Sequence, residues 1–408
     1  MDVTTLSLRQ PRADHATGFW FVALAFGGLM AFGTLPTPLW PLYQVRDHFG
    51  PVEVTIAFAV MVAGAALSFG TLGHLSDRFG RRRIIAPALV VAIAAALILM
   101  LWPDLPGLIL GRLLTGIAVG LMASTATAYL TDLHAKAYPQ RTGSRVPMLV
   151  STVANVGGLA LGPLLAGTVA QWLPAPLVTP YLLLATLLGI LLILVLSTPE
   201  TVDRLPDAGP RPDRFTLRPG RATLFGSAAA VGFFAFALLG LFSSLGAIMV
   251  RGQLGITSTF VVGLAPFTAF AASAAVQLAL GTVRHERQLV IGAWLFPVGL
   301  AITVGALYHP ALGLFLGGAA LAGAGGGLLF KAAVTQTAMA AEPASRAGVL
   351  AVFFIIAYAG MGLPSIAFSF VIRHAALAPT MIGFGAVLSL GTAGAVLTAI
   401  RRGTRLAV

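Results

Sequence analysis

Twelve stretches of at least 20 residues, ten of them free of any charged side chain, follow one another along this 408-residue chain. They run over Phe19–Tyr43, Val54–Gly73, Ile84–Pro103, Leu108–Thr131, Pro147–Ala170, Val178–Ser197, Ala222–Leu245, Ser258–Gly281, Leu289–Tyr308, Ala311–Val334, Ala347–Val371 and Pro379–Ile400. Each is long enough to cross a hydrocarbon core of ~30 Å as a helix and about twice as long as a barrel strand needs to be. Lipid offers no water to backbone N–H and C=O groups, so segments of this length are expected to be helical, each satisfying its own backbone. A soluble enzyme and a disordered chain are both excluded: charged residues make up 9% of the sequence, against about 25% in an ordinary soluble domain. The expected class is an all-α integral membrane protein.

The charges that remain are lopsided, 25 Lys and Arg against 13 Asp and Glu, for a formal net charge of +12. In a soluble chain this would suggest nucleic acid. Here it reads as topology, because basic residues gather on the cytoplasmic side of short-looped membrane proteins. With the N-terminus placed inside, 20 of the basic residues fall on the cytoplasmic side and only Arg46, Arg251 and Arg373 on the other. Arg112 and Lys331 lie within spans 4 and 10. Both termini are therefore expected in the cytoplasm of a cell's inner (plasma) membrane. Trp20, Trp40, Trp102, Trp172 and Tyr308 near span ends fit an aromatic belt. The polar first 17 residues suggest no removable signal peptide. Cysteine is absent, which excludes disulfides, thiolate metal sites and cysteine catalysis.

The longest break in the apolar pattern, Thr198–Arg221, is rich in Pro and Arg and divides the chain into two sets of six spans. The expected organisation is a bundle over residues 1–197, a cytoplasmic linker over 198–221 and a second bundle over 222–408. Two six-span halves suggest a transporter built on repeats. Weak echoes support this: Gly73 and Gly281 end spans 2 and 8, and Pro163 and Pro364 lie in spans 5 and 11.

The sharpest local signal joins spans 2 and 3: Gly73-His74-Leu75-Ser76-Asp77-Arg78-Phe79-Gly80-Arg81-Arg82-Arg83. One carboxylate sits among four arginines at a membrane face. Such a cluster pairs readily with a neighbouring helix end and can hold two bundles together in one state and release them in another. Span 5 carries Gly158-Leu159-Ala160-Leu161-Gly162-Pro163-Leu164-Leu165-Ala166-Gly167, where small residues four apart permit close helix approach beside a proline. Span 4 opens with Arg112, four residues past its start; it either snorkels to the outer interface or faces a cavity or partner. Lys331 snorkels inward if span 10 ends near Val334 and is a second cavity cation if the helix runs on toward Ala341. Three prolines, Pro36, Pro38 and Pro41, should kink or unwind the outer end of span 1.

Every fixed position of the loop between spans 2 and 3 matches the signature G-x-L-[AS]-D-R-x-G-R-[RK], so the chain resembles the major facilitator superfamily, and within it the twelve-span drug:proton antiporters. The second-half twin, Gly281-Thr282-Val283-Arg284-His285-Glu286-Arg287, is degenerate, with histidine in place of the aspartate. The resemblance implies that Gly73, Asp77, Arg78, Gly80 and Arg81 form the gate. The span 5 run is similar to the exporter signature G-x-x-x-G-P-x-x-G-G, with Ala166 replacing one glycine, which implies an antiporter motif at Gly158, Gly162, Pro163 and Gly167. Arg112 falls where proton-coupled members carry L-x-x-x-R-x-x-Q-G, although Thr115 replaces the glutamine.

No carboxylate or histidine occupies a mid-span position, whereas proton coupling needs a titratable group alternately exposed. The candidates for coupling or substrate contact are Arg112, Asp132, Glu53 and Lys331, with Asp77 and Asp47 beside them. Asn155, Tyr129, Gln277, Gln336, Tyr358 and Phe233 are candidate cavity residues, each equally readable as packing. The expected function is secondary active export of a small, fairly hydrophobic molecule, driven by inward proton flow through alternating access. The alternative is an organic-anion exchanger or uptake carrier that uses Arg112 and Lys331 as counter-charges. A transport-dead sensor lacks an appended soluble domain, and an enzyme lacks any H-E-x-x-H, G-x-S-x-G or phosphate-loop motif. The expected partners are a small-molecule substrate, protons and the lipid bilayer, with no nucleic acid, cofactor or metal, and the chain is expected to act as a monomer.

Overall fold

A computed structural model describes residues 13–72, 75–141, 143–202 and 215–404, apart from the side chains of Asp77 and residues 402–404. Twelve helices long and apolar enough to cross a membrane appear, in the order the apolar runs predict. They are His15–Asp47, Pro51–Thr71, Arg82–Leu101, Leu105–Ala137, Val146–Trp172, Thr179–Leu196, Ala222–Gly252, Thr259–Ala279, His285–Tyr308, Leu312–Ala340, Pro343–Val371 and Leu377–Arg401. These are spans 1 to 12 below. Among the described residues the remaining pairing is one antiparallel bridge, Leu217 with Ala341. The architecture is that of a multi-pass, all-α membrane protein.

The helices begin and break where the sequence allows. Asp14 caps span 1 by accepting a hydrogen bond from the Thr17 amide at 2.7 Å, and the Thr17 hydrogen bonding holds its carboxyl below the usual carboxylate range. Ser258 caps span 8 in the same manner, through the Val261 amide. Prolines stand in the first turn of spans 2, 4, 5 and 6, where their missing N–H is not needed. In span 1 the α-helix stops at Thr34, a 3₁₀ turn covers Thr37–Leu39, and a second α-helix covers Trp40–Asp47, as the three prolines predict. Several helices outrun their apolar cores: span 7 reaches Gly252 rather than Leu245, and span 10 reaches Ala340 rather than Val334. Both extensions carry Ala and Met and continue the helix past the most apolar stretch.

One apolar core is built from residues between Phe19 and Val195, and a second from residues between Leu224 and Ala399. A third, smaller core is shared: Phe58, Met61, Val62 and Ala160 meet Leu239, Phe270 and Met361. The packing repeats. Gly116 of span 4 lies against the Met61 carbonyl of span 2 and Gly120 against that of Ala65, with no room for a Cβ at either. In the second half Gly323 and Gly327 of span 10 lie in the same way against the Ala269 and Ser273 carbonyls of span 8. Two helix backbones in lipid approach this closely only through glycine.

Candidate functional site

The arginine-rich turn between spans 2 and 3 is held by residues that follow span 6. Leu75–Phe79 form a short helix carrying Asp77 and Arg78; Gly73 and the Asp77 side chain lie outside the described residues. Arg78 is exposed, its guanidinium 5.6 Å from the Phe79 ring. Gly80 then turns with φ +104°, a conformation that side chains disfavour. Span 3 starts immediately afterwards, and its unpaired amides find a carboxylate from elsewhere in the chain. Glu200 Oε1 accepts from the Arg81 amide at 2.8 Å, and Oε2 accepts from the Arg82 amide at 3.1 Å. A carboxylate at a helix N-terminus is favoured both by the free N–H groups and by the helix dipole.

Five more ties tighten this knot. Arg81 Nε meets Asp132 Oδ2 of span 4 at 3.3 Å, and Arg81 Nη1 donates to Ser76 at 2.9 Å. Tyr129, wholly buried, donates its hydroxyl to the Pro199 carbonyl at 2.7 Å. Lys136 donates to the Thr201 carbonyl at 2.9 Å, and Thr201 donates to Asp132 at 3.2 Å. The motif, the end of span 4 and the first residues after span 6 are thus one unit, and Tyr129 belongs to it. The far end of the linker is fastened elsewhere: the Arg218 amide donates to the Ala340 carbonyl and the Glu342 amide to that of Thr216.

Span 5 is wedged between its own half and the other. Gly158 and Gly162 press on the Gly27 and Ala31 carbonyls of span 1, where Thr34 also donates to the Leu159 carbonyl at 2.8 Å. One and a half turns on, Gly167 faces Thr259 of span 8, and Gly263 of span 8 faces the Pro163 carbonyl. Just before the glycine run, Val153–Gly157 form a π-helical turn, a local widening that often marks functional positions. Asn155 lies in this turn, half-buried, and its side chain makes no hydrogen bond among the described residues. At the end away from the arginine-rich face, Gln171 Oε1 accepts from the Ser258 hydroxyl at 3.1 Å and from the Thr259 amide at 2.8 Å.

Spans 2 and 11 form the second seam between the halves. Arg373 Nη2 reaches Glu53 Oε1 at 3.4 Å, and Thr55 and Ser369 share a hydrogen bond of 2.8 Å. Further along, Gly362 packs on Val62 and Ala59, and near the arginine-rich end Phe69 stacks on Phe354.

Both cations inside the spans lack a carboxylate partner among the described residues. Arg112 is 1% exposed, so it does not snorkel. Its Nη1 donates to the Gly33 carbonyl at 2.9 Å, its Nη2 to the Met61 sulfur at 2.8 Å, and its guanidinium lies 5.9 Å from the Trp40 ring. Its Nε has no hydrogen-bond partner among the described residues. Lys331 lies well inside a helix that continues to Ala340, and its Nζ donates to the Gln277 carbonyl in the last turn of span 8 at 2.8 Å. A cation at a helix C-terminus complements the dipole there.

The remaining cavity candidates scatter. Gln277 donates its amide to Ser273 at 3.2 Å. Gln336 is buried, with neither side-chain amide atom hydrogen-bonded among the described residues. Phe233 is half-buried and packs edge-on to Phe234, while its carbonyl presses on Gly360. Tyr358 is half-buried among aromatic rings from both halves. Glu200, Gln171, Arg373, Ser369 and Phe69 were not anticipated. Glu200 had one sequence signal, its place directly after the end of an apolar run, and the others had none.

Residues 19–363 match the profile described as Major Facilitator Superfamily. Over 276 residues the chain is 27% identical to the multidrug transporter MdfA of Escherichia coli O157:H7, covering 65% of this chain and 63% of that protein. Over 96 residues it is 36% identical to the glucose transporter GlcP of Staphylococcus epidermidis, covering 24% of this chain and 22% of that one. The aligned segments therefore span less than two thirds of either relative. Among solved structures, the nucleoside transporter NupG superposes with a TM-score of 0.70 at 10% identity, over 95% of this chain and 99% of that one. The human organic anion transporter MFSD10 superposes with a TM-score of 0.66 at 15% identity, over 93% and 99%. Twelve spans, the arginine-rich turn and a profile match across most of the chain agree: this protein belongs to the major facilitator superfamily, a family of transporters rather than enzymes.

Proposed function

We propose that the protein exports a small, fairly hydrophobic molecule by proton antiport. The observation that carries this reading is the seat of the span 5 glycine–proline run. Gly158 and Gly162 fix span 5 to span 1, while Pro163 and Gly167 form the sliding contact with span 8. Two bundles, 1–197 and 222–408 joined by the linker 198–221, then rock against each other about this seam and the seam of spans 2 and 11. The substrate binds between them near the midplane. The arginine-rich face lies in the cytoplasm of the inner (plasma) membrane, as basic bias favours, and the working unit is a monomer. The Asp77–Arg81 turn, braced by Asp132 and Glu200, is the inner gate.

The coupling proton is carried by the carboxylates at the span ends, Asp77, Asp132 and Glu53, with Arg112 tuning them through the rigid corner it makes with Gly33 and Met61. Similarity to a multidrug transporter supports efflux, and similarity to sugar transporters keeps uptake as the competing direction. A second reading, organic-anion exchange or uptake, draws on Arg112 and Lys331, both held by uncharged acceptors, so that no carboxylate among the described residues competes with an anion for them.

The test is accumulation in inside-out vesicles from cells that express the chain. Export predicts energy-dependent accumulation of lipophilic probes in the vesicle lumen. Accumulation only in right-side-out vesicles contradicts it, and competition by organic anions that is lost on Lys331→Ala selects the second reading.

A further inference from the structure

Five aromatic rings close into a circuit across the two halves. Phe69 of span 2 stacks on Phe354 of span 11, centroids 4.9 Å apart and planes within 7°. Phe354 lies 6.1 Å from Phe330 of span 10, and Phe330 lies 4.8 Å from Phe236 of span 7. Phe236 meets Tyr358 edge-on at 5.4 Å, and Tyr358 lies 5.6 Å from Phe69. Four of the five rings are only half-buried. Among the described residues, Phe69 with Phe354 is the one parallel pair; every other ring pair is tilted or edge-on, which is the arrangement rings normally prefer. The Tyr358 hydroxyl has no hydrogen-bond partner among the described residues, whereas a tyrosine at a packed interface usually finds one.

Phe69 belongs to one half and Phe354 to the other. When the halves part, the stack opens and uncovers a flat aromatic face beside an unused hydroxyl. We propose that this circuit is a binding slot for an uncharged, flat aromatic molecule bearing one hydrogen-bonding group. The molecule slides in where Phe69 now lies on Phe354 and bonds to the Tyr358 hydroxyl. The inference rests on the export reading above and names the class of its substrate, which this slot receives on the arginine-rich side of the midplane.

Aromatic rings also attract quaternary ammonium groups. Two features argue against a cation here. Two parallel faces that part form a slit, which suits a plate rather than a tetrahedral head group. Within the uninterrupted apolar stretches of the spans the charges are those of Arg112 and Lys331, both positive, with no carboxylate in the circuit to offset the desolvation of a third.

Equilibrium dialysis of the purified full chain in detergent tests this with three probes, each corrected for protein-free micelles: 2-naphthol, its saturated analogue decahydro-2-naphthol, and 2-naphthyltrimethylammonium. The slot predicts that 2-naphthol binds about tenfold tighter than either of the others. Phe69→Leu and Tyr358→Phe should each weaken 2-naphthol roughly three- to tenfold, the scale of one ring contact or one hydrogen bond, and leave the saturated alcohol unchanged. Tyr358→Phe removes only an oxygen and keeps the test decisive if Phe69→Leu fails to fold. Equal binding of the saturated alcohol, equal or tighter binding of the cation, no binding of 2-naphthol, or indifference to both substitutions would each overturn the slot. Dialysis reads no flux, so selective binding without export counts against the export reading alone, and export without this selectivity counts against the slot alone.

Discussion

The Glu200 carboxylate fills the space that a side chain on Gly80 would need: a Cβ there would come 2.5 Å from Oε2. The two residues are 120 apart in sequence, yet together they shape the start of span 3. Gly80→Ala strains a backbone at φ +104°, costing ~1–2 kcal/mol, and also expels the carboxylate from the Arg81 and Arg82 amides. Glu200→Ala loses a helix cap worth ~0.5–2 kcal/mol. Because the first change already displaces Glu200, the double variant should be less destabilised than the two single effects added. Thermal melting of the four proteins in detergent checks this, and strict additivity would contradict the contact.

The Arg81–Asp132 pair is partly open to solvent, with side chains 14% and 35% exposed. Pairs of that kind contribute at most ~1 kcal/mol. Asp132→Asn should therefore keep its melting temperature close to that of the parent while transport falls. Asp77→Asn should behave likewise, expressing normally but arresting transport. Full transport in either variant removes that carboxylate from the mechanism.

Arg112 is buried against a carbonyl and a thioether, with no acidic partner and with Nε unpaired. Replacing a buried charge by an apolar chain of similar length is often neutral or stabilising. Arg112→Met is expected to fold at least as stably as the parent. Its flux should lose dependence on a pH gradient by roughly tenfold, within the range of a typical coupling free energy. Retained coupling in a well-folded Arg112→Met protein would show that Arg112 acts only in packing.

The hydroxyls of Thr55 and Ser369 lie 2.8 Å apart across the seam of spans 2 and 11. The chain has no cysteine of its own, so Thr55→Cys with Ser369→Cys gives a clean cross-linking pair. Their sulfurs fall within reach of a disulfide, whose bond is about 2.05 Å. Oxidation should lock the halves and stop transport, and reductant should restore it. Transport that continues in the cross-linked protein would contradict motion at this seam.

Much of this architecture was legible in the sequence because lipid leaves an apolar run of 20 residues one way to satisfy its backbone. The break in span 1 was legible for the same kind of reason, since Pro36, Pro38 and Pro41 cannot all sit in one continuous helix. The end of span 10 was not, because the polar turn around Gln336 and Thr337 continues a helix as readily as it ends one. The site was read in part. The arginine-rich turn and the span 5 glycines carry local patterns, but their partners do not. Glu200 reaches the span 3 amides only because span 6 ends beside them, and Gln171 meets span 8 only because two helices from different halves end at one height. The π-helical turn that carries Asn155 has no sequence signature at all. Tyr129 was readable as a cavity wall until the position of Pro199 gave its hydroxyl a partner.

In the proposed antiport, proton flow in one direction drives the substrate in the other. Purified protein in proteoliposomes, with the pH gradient imposed first one way and then reversed, measures it most directly. Net flux of an exported aromatic probe should run against the proton flow and change direction when the gradient is reversed. Flux that ignores the gradient, or that follows the protons in both arrangements, would contradict it.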